Sequence, residues 1–224
     1  MTLYTNELIF IGHALLISCA SLIALRLGPS ALVSFVSTCC ILANLFVIKQ
    51  VTLFGLSATG SDAFTIGAVL GLNMLQEYYG KDQTRSAIAI NFFLLVFYAI
   101  VSQIHLAYTP SSADSMHEHF SCICSVMPRI VIASFTVYLI TQYCDYLLYG
   151  FLKTYWKNRF LLLRNYASLI VTQLLDTVLF TALGLYGLVD NVFHVMVISY
   201  AIKICAIAIT TPFIALSRMI QTTR

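Results

Sequence analysis

The residues with chemistry to offer sit where the sequence is otherwise most apolar. Asn44 and Lys49 interrupt the stretch 31–54, and Asn73 and Glu77 the stretch 61–79. Asn73 and Glu77 are four apart, so a helix puts them on one face. Arg129 opens the stretch 128–149, and Gln142 and Asp145 stand near its end. Ser168, Thr172, Gln173, Asp176 and Thr177 punctuate the stretch 166–187, and Lys203 lies near the middle of 192–216. Gln173 and Asp176, three apart, also share a helical face. A carboxylate accepts hydrogen bonds, and an amide both donates and accepts. Side by side they suit a small polar solute or a heterocycle with adjacent N–H donors and a carbonyl, a guanine-like edge being one example. The deep acids Glu77 and Asp176 nearly balance the deep bases Lys49, Arg129 and Lys203. Interhelical ion pairs that only hold helices together are the structural alternative. Asp145, His13 and Gln103 read as satisfied polar residues.

The elements that must position these groups are membrane helices. The chain has 224 residues, 60% of them hydrophobic and 9% charged, with a mean hydropathy of +0.89. Ordinary soluble domains carry about 25% charged residues, and one this short exposes too much surface to hide so much apolar area. About 20 apolar residues cross a bilayer. Seven stretches qualify: 7–27, 31–54, 61–79, 86–106, 128–149, 166–187 and 192–216. Turn residues separate them, among them Gly28-Pro29-Ser30, Gly55 to Gly60 and Tyr79-Gly80-Lys81-Asp82. The expectation is a single all-α domain over 1–224, a polytopic transmembrane bundle of six to seven spans with seven favoured. The third stretch is the weakest because of Asn73, Gln76 and Glu77.

Charge gives the orientation. Arg26, Lys81, Arg85, Lys153, Lys157, Arg159, Arg164, Arg218 and Arg224 all follow odd-numbered spans. Positive residues gather on the cytoplasmic side, so the N-terminus is expected outside and the C-terminus inside. The net charge of +3 therefore reports topology and no nucleic-acid partner. The first stretch lacks the basic flank of a signal peptide. Five of the seven cysteines sit in apolar stretches, where a free thiol behaves as a small hydrophobe. The loop 107–127 holds His117, Glu118, His119, Cys122 and Cys124, without a standard zinc spacing; a solvated loop is expected, with no metal and no cofactor. Ala63, Gly67 and Gly71 form a small-residue stripe that lets another helix approach closely.

Four segments, with Lys203 and Thr211-Pro212 in the last stretch, resemble one family, the queuosine precursor transporters, also known as a vitamin uptake transporter family. They are Asn44 to Lys49; Asn73 through Glu77 to Tyr79-Gly80-Lys81; Pro128-Arg129-Ile130 with Ala133-Ser134, continuing to Tyr138, Gln142 and Asp145; and Arg164-Asn165, Ser168, Gln173 and Asp176-Thr177. The resemblance covers about residues 40–215 and is most specific in the block from Arg164 to Thr177. It implies a non-enzymatic carrier in the cytoplasmic (inner) membrane. The implied cargo is 7-deazaguanine bases for queuosine in transfer RNA: queuine or its cyano and aminomethyl precursors. In that reading Glu77, Gln173 and Asp176 contact the base, and Asn44, Asn73 and Ser168 orient it. Lys49, Arg129, Arg164 and Lys203 hold the acids charged or exchange partners. Asn73 stands where the family pattern has Asp, which leaves open the base carried. Two other readings are carried alongside. One is a substrate-binding membrane subunit energised by separate ATPases, since no Walker A loop is present. The other is an intramembrane enzyme using Glu77 and Asp176 with His13 or His194, for which no nucleophile–base spacing exists. Homo-oligomerisation is left open.

Overall fold

The computed structural model describes residues 5–155 and 161–205. The chain is an all-α bundle with one small hairpin: α1 (Thr5–Leu27), α2 (Pro29–Phe46), β1 (Gln50–Leu53), β2 (Leu56–Thr59), α3 (Asp62–Ala107), α4 (His117–Cys124), α5 (Met127–Tyr155) and α6 (Leu161–Phe180). A π-turn, Thr181–Leu185, extends α6, and α7 is described over Val192–Cys205. A helical segment thus stands at each of the seven apolar stretches. Among the described residues, five helices are long and apolar enough to cross a membrane. Large side chains such as Leu8, Phe93, Ile132 and Phe193 lie on the outside of the bundle. Exposed Leu and Phe all along a helix suit lipid, where only helices and closed barrels satisfy their own backbone groups.

α3 is 46 residues long, about 69 Å at 1.5 Å per residue and more than twice the ~30 Å hydrocarbon core. It is two arms, 62–79 and 81–107, joined at Gly80 (φ 83°, ψ 175°). That backbone is open to glycine and strained for other residues. The expected turn at Tyr79-Gly80-Lys81-Asp82 is therefore this single residue, and helix resumes at once.

The stretch 31–54 does not run through as one span. α2 ends at Phe46, and the chain turns into the β1–β2 hairpin, paired antiparallel with Leu53 opposite Leu56. Phe54 (φ 51°) and Gly55 (φ 77°) make its two-residue turn; left-handed φ at both positions matches the natural twist of a hairpin. The Glu7 carboxylate accepts the Phe54 N–H at 2.8 Å, and Asn6 donates to the Thr52 carbonyl at 3.0 Å. Gln50 accepts the Asp190 N–H at 3.1 Å. The hairpin thereby ties α1 to the turn before α7. Periodicity alone hides it, because Val51 and Leu53 read as the end of an apolar span and Leu56 and Ala58 fall among the turn residues Gly55 to Gly60.

The small-residue stripe packs α3 against α1 and α2. A Cβ on Gly67 would stand 2.3 Å from an Ile17 methyl, and one on Gly71 2.5 Å from a Val36 methyl. Leu25, Leu32, Val36, Leu70, Met74 and Leu75 form the adjoining core. Pro128 sits in the first turn of α5, where its missing N–H costs no helical bond. Part of the 107–127 loop is the short helix α4, none of whose residues is buried.

Candidate functional site

Lys203 on α7 reaches Asp176 on α6, Nζ to Oδ2 at 2.5 Å, and donates also to the Thr177 hydroxyl at 3.1 Å. The Lys203 side chain is 13% exposed and that of Asp176 30%. This is a shielded ion pair between two consecutive helices, its partners 27 residues apart. Both residues line a cavity of about 270 Å³ among α2, α3, α5, α6 and α7. Asn44 joins them from α2. Its amide donates to the Cys40 carbonyl at 2.7 Å, and its oxygen accepts the Ser134 hydroxyl of α5 at 3.2 Å.

Asn91 was not singled out from the sequence, yet it lines the same cavity. Its Oδ1 is buried without a hydrogen-bond partner. An acceptor in that state is costly unless a ligand or water completes it. Both arms of α3 contribute, Val69 and Leu72 from the first and Asn91 and Phe92 from the second, so the break at Gly80 folds the arms around one space. Phe92, Tyr138 and Phe180 add aromatic faces, with Phe92 set edge-on to Tyr138 at 4.9 Å. The cavity thus offers a carboxylate, an ammonium, two amides and flat apolar walls.

Other candidates lie elsewhere. Asn73, Glu77, Ser168 and Gln173 are absent from the lining. Asn73 is half-buried and Glu77 exposed on the first arm of α3. Ser168 is buried and donates to the Asp145 carboxylate at 2.5 Å, joining α6 to α5. Lys49 lies past the end of α2 rather than inside a span. It lines a separate cavity of about 240 Å³ with Asn6, His13 and Phe64. Arg129 is exposed and caps carbonyls instead of meeting an acid, donating to Leu183 at 3.0 Å and Tyr186 at 2.6 Å. It satisfies backbone oxygens where the π-turn leaves off. Arg164 falls in the first turns of α6, its side chain outside the described residues, as is Thr211-Pro212. Asp62, at the start of α3, was also passed over. In sequence it reads as an ordinary helix-opening acid, whereas it is buried.

The family model described as "Putative vitamin uptake transporter" matches residues 59–217. A "Probable queuosine precursor transporter" of Bacillus subtilis (strain 168) is 31% identical over 191 residues, covering 84% of this chain and 82% of the relative. No solved structure matches. The matched family is one of transporters, which sets aside the intramembrane-enzyme reading. With a helical bundle fit for lipid and a match over most of its length, the chain belongs to the vitamin uptake transporter family.

Proposed function

We propose that this protein carries queuosine precursors across the cytoplasmic membrane, and that the cavity at Asp176 and Lys203 holds the 7-deazaguanine base. The observation that carries the reading is the grouping of Asp176, Lys203, Asn44 and Asn91 with three aromatic rings around about 270 Å³. Small-molecule pockets commonly measure ~300–1,000 Å³. This one stands just below that range, which suits a bicyclic base better than a nucleoside. Asp176 would accept from the guanine-like N–H edge in exchange for part of its bond to Lys203. The ammonium would then turn to the ring carbonyl, and the free Asn91 oxygen would take a further N–H. The aromatic faces bind the ring plane.

Asn73, Glu77 and Gln173 lie on the cytoplasmic side of the cavity along their helices, given the positive-inside orientation. In this reading they receive the base as the inner end opens. Ser168 with Asp145, and Arg129 with its carbonyls, hold helices in place. Lys49 stands at the outer end, where the solute enters. The name of the Bacillus subtilis relative supports the cargo, and the donor and acceptor pattern agrees with it.

The test is uptake of radiolabelled queuine and of the cyano and aminomethyl bases by cells that cannot make them. Expression of this chain should confer saturable uptake of at least one. Asn91→Leu should raise the apparent KM about tenfold, the worth of one hydrogen bond of ~1.4 kcal/mol. Absence of uptake for all three bases by well-expressed protein would end the proposal. Normal uptake by the doubly changed protein, Asp176→Asn with Glu77→Gln, would end the site assignment.

A further inference from the structure

Asp62 is 4% exposed, and its Oδ2 is buried with no hydrogen-bond partner. Ser199 and Thr59 lie beside its carboxylate, with Lys203 acting on it electrostatically. A second cavity, of about 60 Å³, opens there. It has room for a few water-sized particles and none for a bicyclic base. Its polar lining is almost entirely hydroxyl: Thr59, Ser61, Thr65, Thr177, Thr181 and Ser199. Several of these protons are already committed. Thr181 donates to the Thr177 carbonyl at 2.7 Å, and Thr177 to the Gln173 carbonyl at 2.8 Å. One of the Thr59 and Ser61 hydroxyls donates to the other at 2.7 Å, and the Thr177 oxygen keeps one lone pair beside the one that accepts from Lys203 at 3.1 Å. A hydroxyl whose proton is committed offers its surroundings only an oxygen lone pair. The cavity is therefore a cluster of oxygen acceptors around one carboxylate, the donor set that hard cations take.

The charges point the same way. Asp62, Asp176 and Lys203 together carry one net negative charge, and Lys203 is the only base lining either of the two cavities among the described residues. A net charge inside a bilayer is costly. One monovalent cation cancels it, whereas a divalent ion would overshoot. A proton would also cancel it, but would occupy a single lone pair and leave the surrounding hydroxyl oxygens without use. The two cavities adjoin, sharing Val47, Ser61, Thr65, Phe180 and Lys203.

We propose that Asp62 and the hydroxyls around it form a sodium site, and that Lys203 links its occupancy to the neighbouring solute cavity. The link to the solute rests on the transport reading above; the cation site does not. A cation at Asp62 repels the Lys203 ammonium toward Asp176 and fixes the geometry that meets the base. By reciprocity the base tightens sodium binding by the same factor, expected within about 5–150-fold.

The experiment is binding of radioactive sodium to the purified full-length protein in detergent, without any base. Saturable binding displaced by unlabelled NaCl, and not by choline chloride, is expected. Asp62→Asn should weaken it at least tenfold, Ser199→Ala should weaken it several-fold, and Asp114→Asn in the exposed loop should leave it unchanged. If Asp62→Asn does not elute as folded protein, wild type and Ser199→Ala decide. No saturable binding by wild type, or binding that Ser199→Ala leaves intact, overturns the site. In liposomes without any ATPase, an inward sodium gradient at fixed pH should accelerate queuine uptake over a choline gradient. Uptake that follows a pH gradient and ignores sodium overturns the link between the sodium site and the solute cavity, while the transport reading stands. Saturable sodium binding without uptake of any deazaguanine base upholds the cation site and overturns the transport reading.

Discussion

Breaking the Lys203–Asp176 pair should cost more from one side than from the other. At 2.5 Å and an effective dielectric of about 20, the gross attraction is about 7 kcal/mol. Desolvation of both groups offsets much of it. Removing one partner of a buried pair typically costs about 3–5 kcal/mol. The lower end applies here, because Asp176 is 30% exposed and helices separated within a membrane find other partners. Asp176→Asn should therefore cost about 2–3 kcal/mol, since Lys203 can turn toward Asp62 nearby. Lys203→Met should cost about 3–4 kcal/mol, because it leaves two carboxylates and no base. The double variant should cost about as much as Lys203→Met alone, so the coupling equals the Asp176→Asn cost, about 2–3 kcal/mol. Equilibrium unfolding of the purified protein in mixed micelles with increasing SDS measures all four. Costs that add within about 0.5 kcal/mol, or a larger cost for Asp176→Asn, would refute the reasoning.

Gly80→Ala meets open space, so only the left-handed backbone opposes it; a loss of about 1–2 kcal/mol is expected, read as a lower melting temperature. Gly67→Ala drives a methyl onto Ile17 at 2.3 Å, and overpacking of this kind costs about 1–3 kcal/mol in the same assay. Arg129→Gln removes the fork that holds the carbonyls of Leu183 and Tyr186. Its exposure reduces the loss to about 1–2 kcal/mol, and faster hydrogen exchange should appear in the turn 186–191 first.

The polar candidates separate along an instructive line. Asn44, Asp176 and Lys203 were found as polar residues inside apolar stretches, and they do share a cavity. Asn91 obeys the same rule in the stretch 86–106 and could have been found by it. Asp62 could not, because a helix-opening acid is usually solvated. The spacing of Asn73 with Glu77 correctly puts them on one face of a helix. Spacing says nothing of where that face sits in the bundle, and here neither residue lines the cavity. Lys49 moved outward because the hairpin, built from residues as apolar as a span, shortens α2.

By itself the sequence determined the solvent and the class of fold. Apolar stretches of bilayer length must be helical in lipid, since each has to satisfy its own backbone, and loop charges set the orientation expected of them. Those are local properties, written in consecutive residues. Only the tertiary structure decided that Lys203 meets Asp176, that Asn91 and Asn44 face one space, and that Asp62 is buried among hydroxyls. These meetings depend on helix rotation and close approach, which Gly67 and Gly71 permit and Gly80 redirects. No single segment encodes them, because each is set by the packing of several helices at once.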